Sequence, residues 1–273
     1  MKNLKPYIIA SLALTLLFAL FDFIFGFQAS TESYLWGLVA NVFISILIGN
    51  LIKNSTLSGF RLVLGIFIVY FVIGHFSILI EAFVFDVTSR ARTLQELARG
   101  FVVALAFAPL CTILFKPTAS VRRLHFKNRN WLQWLWRILT GDLLYLIMYS
   151  TAGFILVTAH PEILDFYENK IPPIEKVIKT QLFLRGFLFA GVAILISRTT
   201  DLSLLHRSLL IGLVFAIIGG VAPLLSPNEL MPTYVRYGHM VEVGTSNFIF
   251  GIIMGFLLGQ KIVSPVIVPP ENL

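Results

Sequence analysis

The chain has 273 residues, of which 57% are hydrophobic and 13% charged, and a formal net charge of +7. With a mean hydropathy of +0.86 it is too apolar for a water-soluble globule, whose surface must carry polar groups. The single cysteine, Cys111, excludes an internal disulfide and a cysteine-based zinc or iron–sulfur centre, so no cofactor is expected.

A bilayer core of roughly 30 Å takes about 20 helical residues. Apolar runs of that length predict helices over residues 7–27, 34–52, 62–85, 97–115, 138–159, 178–197, 207–225 and 240–260. The runs are too long and unalternating for barrel strands. The expected fold is therefore an all-α polytopic membrane bundle, one membrane domain over 1–273. Lys2 and Lys5 ahead of the first run have the charge layout of a signal peptide. The apolar stretch is longer than a usual signal core and lacks a clear cleavage site, so a retained first helix is expected. Polar and helix-breaking clusters punctuate the chain at Gln28 to Ser33, Lys53 to Gly59, Ile171-Pro172-Pro173, Arg198 to Asp201 and Ser226-Pro227-Asn228-Glu229.

Alternating the loops from one side to the other puts 13 of the 21 Lys and Arg at the end holding the N-terminus and 8 at the opposite end. The positive-inside rule then predicts both termini in the cytoplasm, in a membrane of the bacterial cytoplasmic type. Most of the bias comes from loop 116–137, with Lys116, Arg122, Arg123, Lys127, Arg129 and Arg137 and no acidic residue. Trp131, Trp134 and Trp136 follow those charges, as expected of an interfacial anchor on anionic headgroups. Orientation bias accounts for the basic charge, so nucleic acid is not an expected partner.

One phrase occurs twice: Gln95-x-x-x-Arg99-Gly100-Phe101 and Gln181-x-x-x-Arg185-Gly186-Phe187, each opening an apolar run at the outer end. The i, i+4 spacing sets Gln and Arg on one helix face, and the glycine lets a neighbouring helix approach. Either copy alone is also explained by an arginine reaching headgroups from a helix mouth. At the same depth lie Glu81 and Asp86, and the last helix opens with Arg236, His239, Glu242, Ser246 and Asn247, positions within about 140° of arc. The substrate-binding candidates are thus Gln95, Arg99, Gln181, Arg185, Arg236, His239, Glu242, Asn247 and Glu81.

Three function classes fit this constellation. A binding protein or permease for a small anionic solute would use Arg99, Arg185 and Arg236 as a clamp and Glu242 with His239 as a proton-coupled pair. A non-catalytic scaffold or regulatory protein would pair the same charges internally to fix helix register. An intramembrane hydrolase would use Glu242 and His239 as acid and base, but no nucleophile or metal set accompanies them; Ser246 lies one turn on, where a membrane serine usually bonds its own helix. A transporter also calls for helices broken at mid-depth, for which Pro109 and Pro223 are the candidates. Asp142, Tyr145 and Tyr149 share a face of the fifth helix, with Asp142 expected near its N-terminus as a capping carboxylate. Asp22 is expected to pair with an arginine. Gly251, Gly255 and Gly259 form a small-residue stripe suited to close helix packing.

Residues 180–260 also resemble, in degenerate form, the CAAX-protease and bacteriocin-processing (CPBP) intramembrane family. The segment Gln181-Leu182-Phe183-Leu184-Arg185-Gly186-Phe187 is similar to that family's first motif, two adjacent glutamates, three residues and Arg-Gly. Thr180 and Gln181 stand in the glutamate positions, Gly219 stands four residues after Phe215 in place of a histidine, and Val243 replaces the histidine four residues before Asn247. The resemblance implies a shared membrane fold for this part of the chain, without the family's peptidase chemistry.

Overall fold

The computed structural model describes residues 4–117, 124, 126, 128–168, 172–227, 231–260 and 262. Lys2, Arg122, Arg123, Lys127, Ile171, Asn228 and Glu229, singled out above, lie outside the described residues. Among the described residues, eight helices are long and apolar enough to cross a membrane. We label them α1 (Lys5–Phe25), α2 (Thr31–Lys53), α3 (Gly59–Val84), α4 (Arg90–Leu114), α5 (Trp131–Ala159), α7 (Ile174–Thr199), α8 (Leu204–Leu225) and α9 (Thr233–Leu258), with a short α6 (Pro161–Tyr167) between α5 and α7. The protein is an all-α polytopic helical bundle.

Each predicted run is a helix, but three, α4, α5 and α9, begin a full two turns early. Ser89 caps α4 by accepting from Arg92 N–H. Asn130 caps α5 and exchanges hydrogen bonds with Gln133, whose side chain reaches back to the Asn130 N–H. Asp142 is consequently the twelfth residue of α5 and cannot cap it, which corrects the expectation that it would sit at a helix N-terminus. Pro109 and Pro223 break neither α4 nor α8. The irregularities are instead π turns at Val72–Phe76 in α3, Gln181–Arg185 in α7 and Val214–Val221 in α8.

The apolar exterior expected of a chain solvated by lipid is present, with Phe23, Phe60, Ile113 and Phe154 turned outward. Inside, α8 and α9 approach through small residues: a Cβ on Gly251 would meet the backbone of Gly212, and Gly255 faces Ser208. The third glycine of the stripe, Gly259, follows the end of α9. Four buried rings, Tyr145, Phe189, Phe215 and Phe250, join α5, α7, α8 and α9, with centroids 4.7 Å apart for Phe189–Phe215 and 5.1 Å for Tyr145–Phe250. This aromatic floor lies directly below the polar cluster, because the Arg185 guanidinium sits 5.6 Å from the Tyr145 ring centre.

Candidate functional site

The two copies of the repeated phrase fold differently. In α7, Gln181 and Arg185 bound a π turn, closed by the Gly186 N–H donating to the Gln181 carbonyl. Both side chains are buried and converge on Glu81, which α3 delivers just before its C-terminus. Arg185 Nη1 pairs with Glu81 Oε2. Gln181 Nε2 donates to Glu81 Oε1 at 3.1 Å, and the Tyr149 hydroxyl of α5 donates to the same oxygen at 2.7 Å. Arg185 Nη1 also lies 3.3 Å from Gln181 Oε1. Buried Arg185 and Gln181 thus close on partly buried Glu81 and Tyr149, as burial of charge requires.

In α4 the helix is regular, Gln95 points outward, and Arg99 turns to α1. There it pairs with Asp22, which also accepts from Tyr34 Oη of α2 at 3.2 Å. Phe18 and Phe27 stack on the Arg99 guanidinium. The expectation that Asp22 meets an arginine holds, and Arg99 and Arg185 have no partner in common.

The glycines do play parallel parts. A Cβ on Gly100 would stand 2.6 Å from the His75 ring, and one on Gly186 would collide with Oδ1 of Asp142. Each glycine admits a polar side chain from the adjacent helix. Asp142 is buried, and its Oδ1 makes no hydrogen bond among the described residues.

The face of α9 is shared between α8 and α6. Arg236 donates to the carbonyls of Leu224 and Leu225, at 2.9 and 2.7 Å, and so closes the C-terminus of α8. Asn247 Nδ2 donates to the Phe215 carbonyl at 3.3 Å, within the α8 π turn. Between them His239 Nδ1 lies 2.7 Å from Glu242, and His239 Nε2 lies 2.9 Å from the hydroxyl of Tyr167 in α6. Ser246 bonds the Val243 carbonyl three residues back, so its hydroxyl is turned to its own helix.

Tyr167 is the site residue missed in the sequence, because it stands in the polar connection between two apolar runs. Burial, helped by the Glu242 and Glu81 charges, pushes its phenol up to about 12. At neutral pH its hydroxyl therefore keeps its proton and shares a hydrogen bond with His239 Nε2, while His239 Nδ1 faces Glu242. The same shift makes Tyr167 a poor nucleophile, since the phenolate is the reactive form.

No family model matches the chain, and no curated protein or solved structure matches it. Chemistry is therefore read from the side chains alone. Among the described residues no group of three His, Cys, Asp or Glu could hold a metal ion. The cluster holds two carboxylates, Glu81 and Glu242, against one permanent cation, Arg185, so it does not offer an anion a positive surface.

Proposed function

We propose that this multi-pass membrane protein is a non-catalytic scaffold or regulatory component, whose intramembrane charges hold its helices in one arrangement. One observation carries the reading: each arginine of the expected anion clamp is already engaged, Arg185 by Glu81, Arg99 by Asp22 and Arg236 by the α8 carbonyls. Buried pairs of this kind specify a unique packing more than they add stability. The hydrolase reading lacks a reactive nucleophile beside His239.

Kinship with the CPBP family agrees with this proposal, as a relative that has lost its catalytic residues. It is supported by Arg185, Phe215 and Asn247 falling on three adjacent helices, with Asn247 bonded to the Phe215 carbonyl. The expected setting is a bacterial cytoplasmic membrane with both termini inside, supported by the charge bias of the loops.

The solute-binding alternative draws on the Glu242–His239–Tyr167 chain, whose histidine keeps about a quarter of its side-chain surface, 23%, exposed. Glu242→Gln separates the readings. For a scaffold, the variant should retain its partner in co-purification, and any defect should track lost melting temperature. Normal melting temperature with lost uptake of a small anion into proteoliposomes would overturn the proposal.

A further inference from the structure

At the basic end of the bundle the three tryptophans of the expected anchor divide. Trp131 and Trp136 face outward, 70% and 47% exposed, as interfacial side chains do. Trp134 turns inward and becomes a platform for arginines. The Arg129 guanidinium lies 5.1 Å from its ring centre and that of Arg198, at the end of α7, 5.0 Å. The Phe126 ring centre lies 4.6 Å from Arg198 as well, and 5.5 Å from Arg207 of α8.

The rings fix these guanidinium groups without neutralising them. Arg129 donates to the Leu258 and Gly259 carbonyls, both at 2.8 Å, and Arg207 donates to the Gln260 and Leu202 carbonyls. Arg198 makes no hydrogen bond or ion pair among the described residues. The α9 C-terminus offsets about half a charge at Arg129. Asp201 is the carboxylate that acts on Arg207. Against it stand Arg129, Arg137, Arg198 and Arg207, so a strong positive field remains. Its effect is visible in Arg129, which burial and then repulsion by Arg137 and Arg198 bring down to about 10.

We propose that Arg129 and Arg198 bind the phosphate of an anionic phospholipid headgroup, with Phe126 and Trp134 holding Arg198 in place and buried Arg207 adding charge behind it. A planar guanidinium presents two parallel donors to phosphate oxygens, which suits Arg198, whose donors have no hydrogen-bond partner among the described residues. The source is lipid because Trp131 and Trp136 put the site at headgroup depth.

The test uses the full chain in nanodiscs of phosphatidylcholine, titrated with phosphatidylglycerol and read by melting temperature. Phosphatidylglycerol should raise the melting temperature of the native protein. Arg198→Gln should weaken the apparent affinity about five-fold, the share of one arginine near a charged surface. Arg61→Gln removes an exposed arginine at the same end and should change nothing. Equal losses in both variants would mean a diffuse field and overturn the site, as would undiminished binding by Arg198→Gln. If Arg198→Gln does not accumulate, Arg198→Lys carries the test: it keeps the charge and loses the fork, and unchanged binding overturns the proposal. Inorganic phosphate should give no protection; protection equal to that from phosphatidylglycerol would overturn the lipid assignment.

Discussion

Gly186 of α7 lies so close to Asp142 of α5 that any β-carbon at residue 186 would collide with the aspartate's Oδ1 and stand 2.9 Å from its carboxyl carbon. The glycine after the second arginine is thus set by contact with a carboxylate carried on another helix. Gly186→Ala should destabilise by about 1–3 kcal/mol through overpacking. Adding Asp142→Ala should restore much of the loss. Gly191→Ala, on the same helix with open space around it, should be neutral or stabilise by about 0.5–1 kcal/mol. Melting temperature in detergent reads all three.

The two arginine pairs are separate units. Arg185→Met leaves the partly buried Glu81 without its cation and should cost about 3–5 kcal/mol, most of it recovered in the Arg185→Met, Glu81→Met double variant. Arg99→Met and Arg185→Met share no partner, so their effects should add. A double variant no worse than the worse single would point to one shared site.

The repeated glutamines should respond unequally. Gln181→Ala removes a buried donor from Glu81 and should cost about 1–3 kcal/mol. Gln95→Ala removes an outward side chain and should stay within about 0.5 kcal/mol of the parent. Equal losses would contradict the different folding of the two phrases.

Orientation is accessible through one thiol. Cys111 is buried and gives a low background, so a cysteine in place of exposed Asn128 reports its own side of the membrane. An impermeant maleimide should label it in inverted vesicles and leave it unlabelled in intact cells. Labelling in intact cells would reverse the topology.

Alkaline titration tests Tyr167. Its folded-state pKa is raised above the ordinary value of 10.0 to about 12, so its contribution to stability is complete below pH 10 and is lost as the pH rises through 12. Tyr167→Phe cannot ionise and should lose less melting temperature than the parent between pH 10 and 12. Parallel curves would exclude the burial of the Tyr167 phenol beside Glu242.

Hydropathy alone made the eight spans legible, because lipid imposes length and apolarity on every crossing segment. It missed the first two turns of α4, α5 and α9, where Arg90 to Glu96, Trp131 to Arg137 and Thr233 to His239 are polar enough to fall below an apolar window. The caps that start α4 and α5, Ser89 and the Asn130–Gln133 box, were there to be read. Residue types at the site were legible too, since a buried charge in a membrane helix is rare. Their partners were not. Which carboxylate meets Arg185 depends on helix neighbours, and the π turn that separates the α7 phrase from its α4 copy arises from packing, with identical Gln, Arg and Gly in both.

The length of α5 has a mechanical consequence. Its 29 residues rise about 43 Å, while the hydrocarbon layer measures roughly 30 Å. The surplus is the stretch from Trp131 to Arg137, and directly beyond it Leu139 and Leu143 face outward. Sinking by two turns would drag Arg137 into hydrocarbon, and rising by two would strand both leucines in water. α5 therefore acts as a depth gauge: a thinner bilayer is met by tilting the helix, and the bundle docked on it tilts as well.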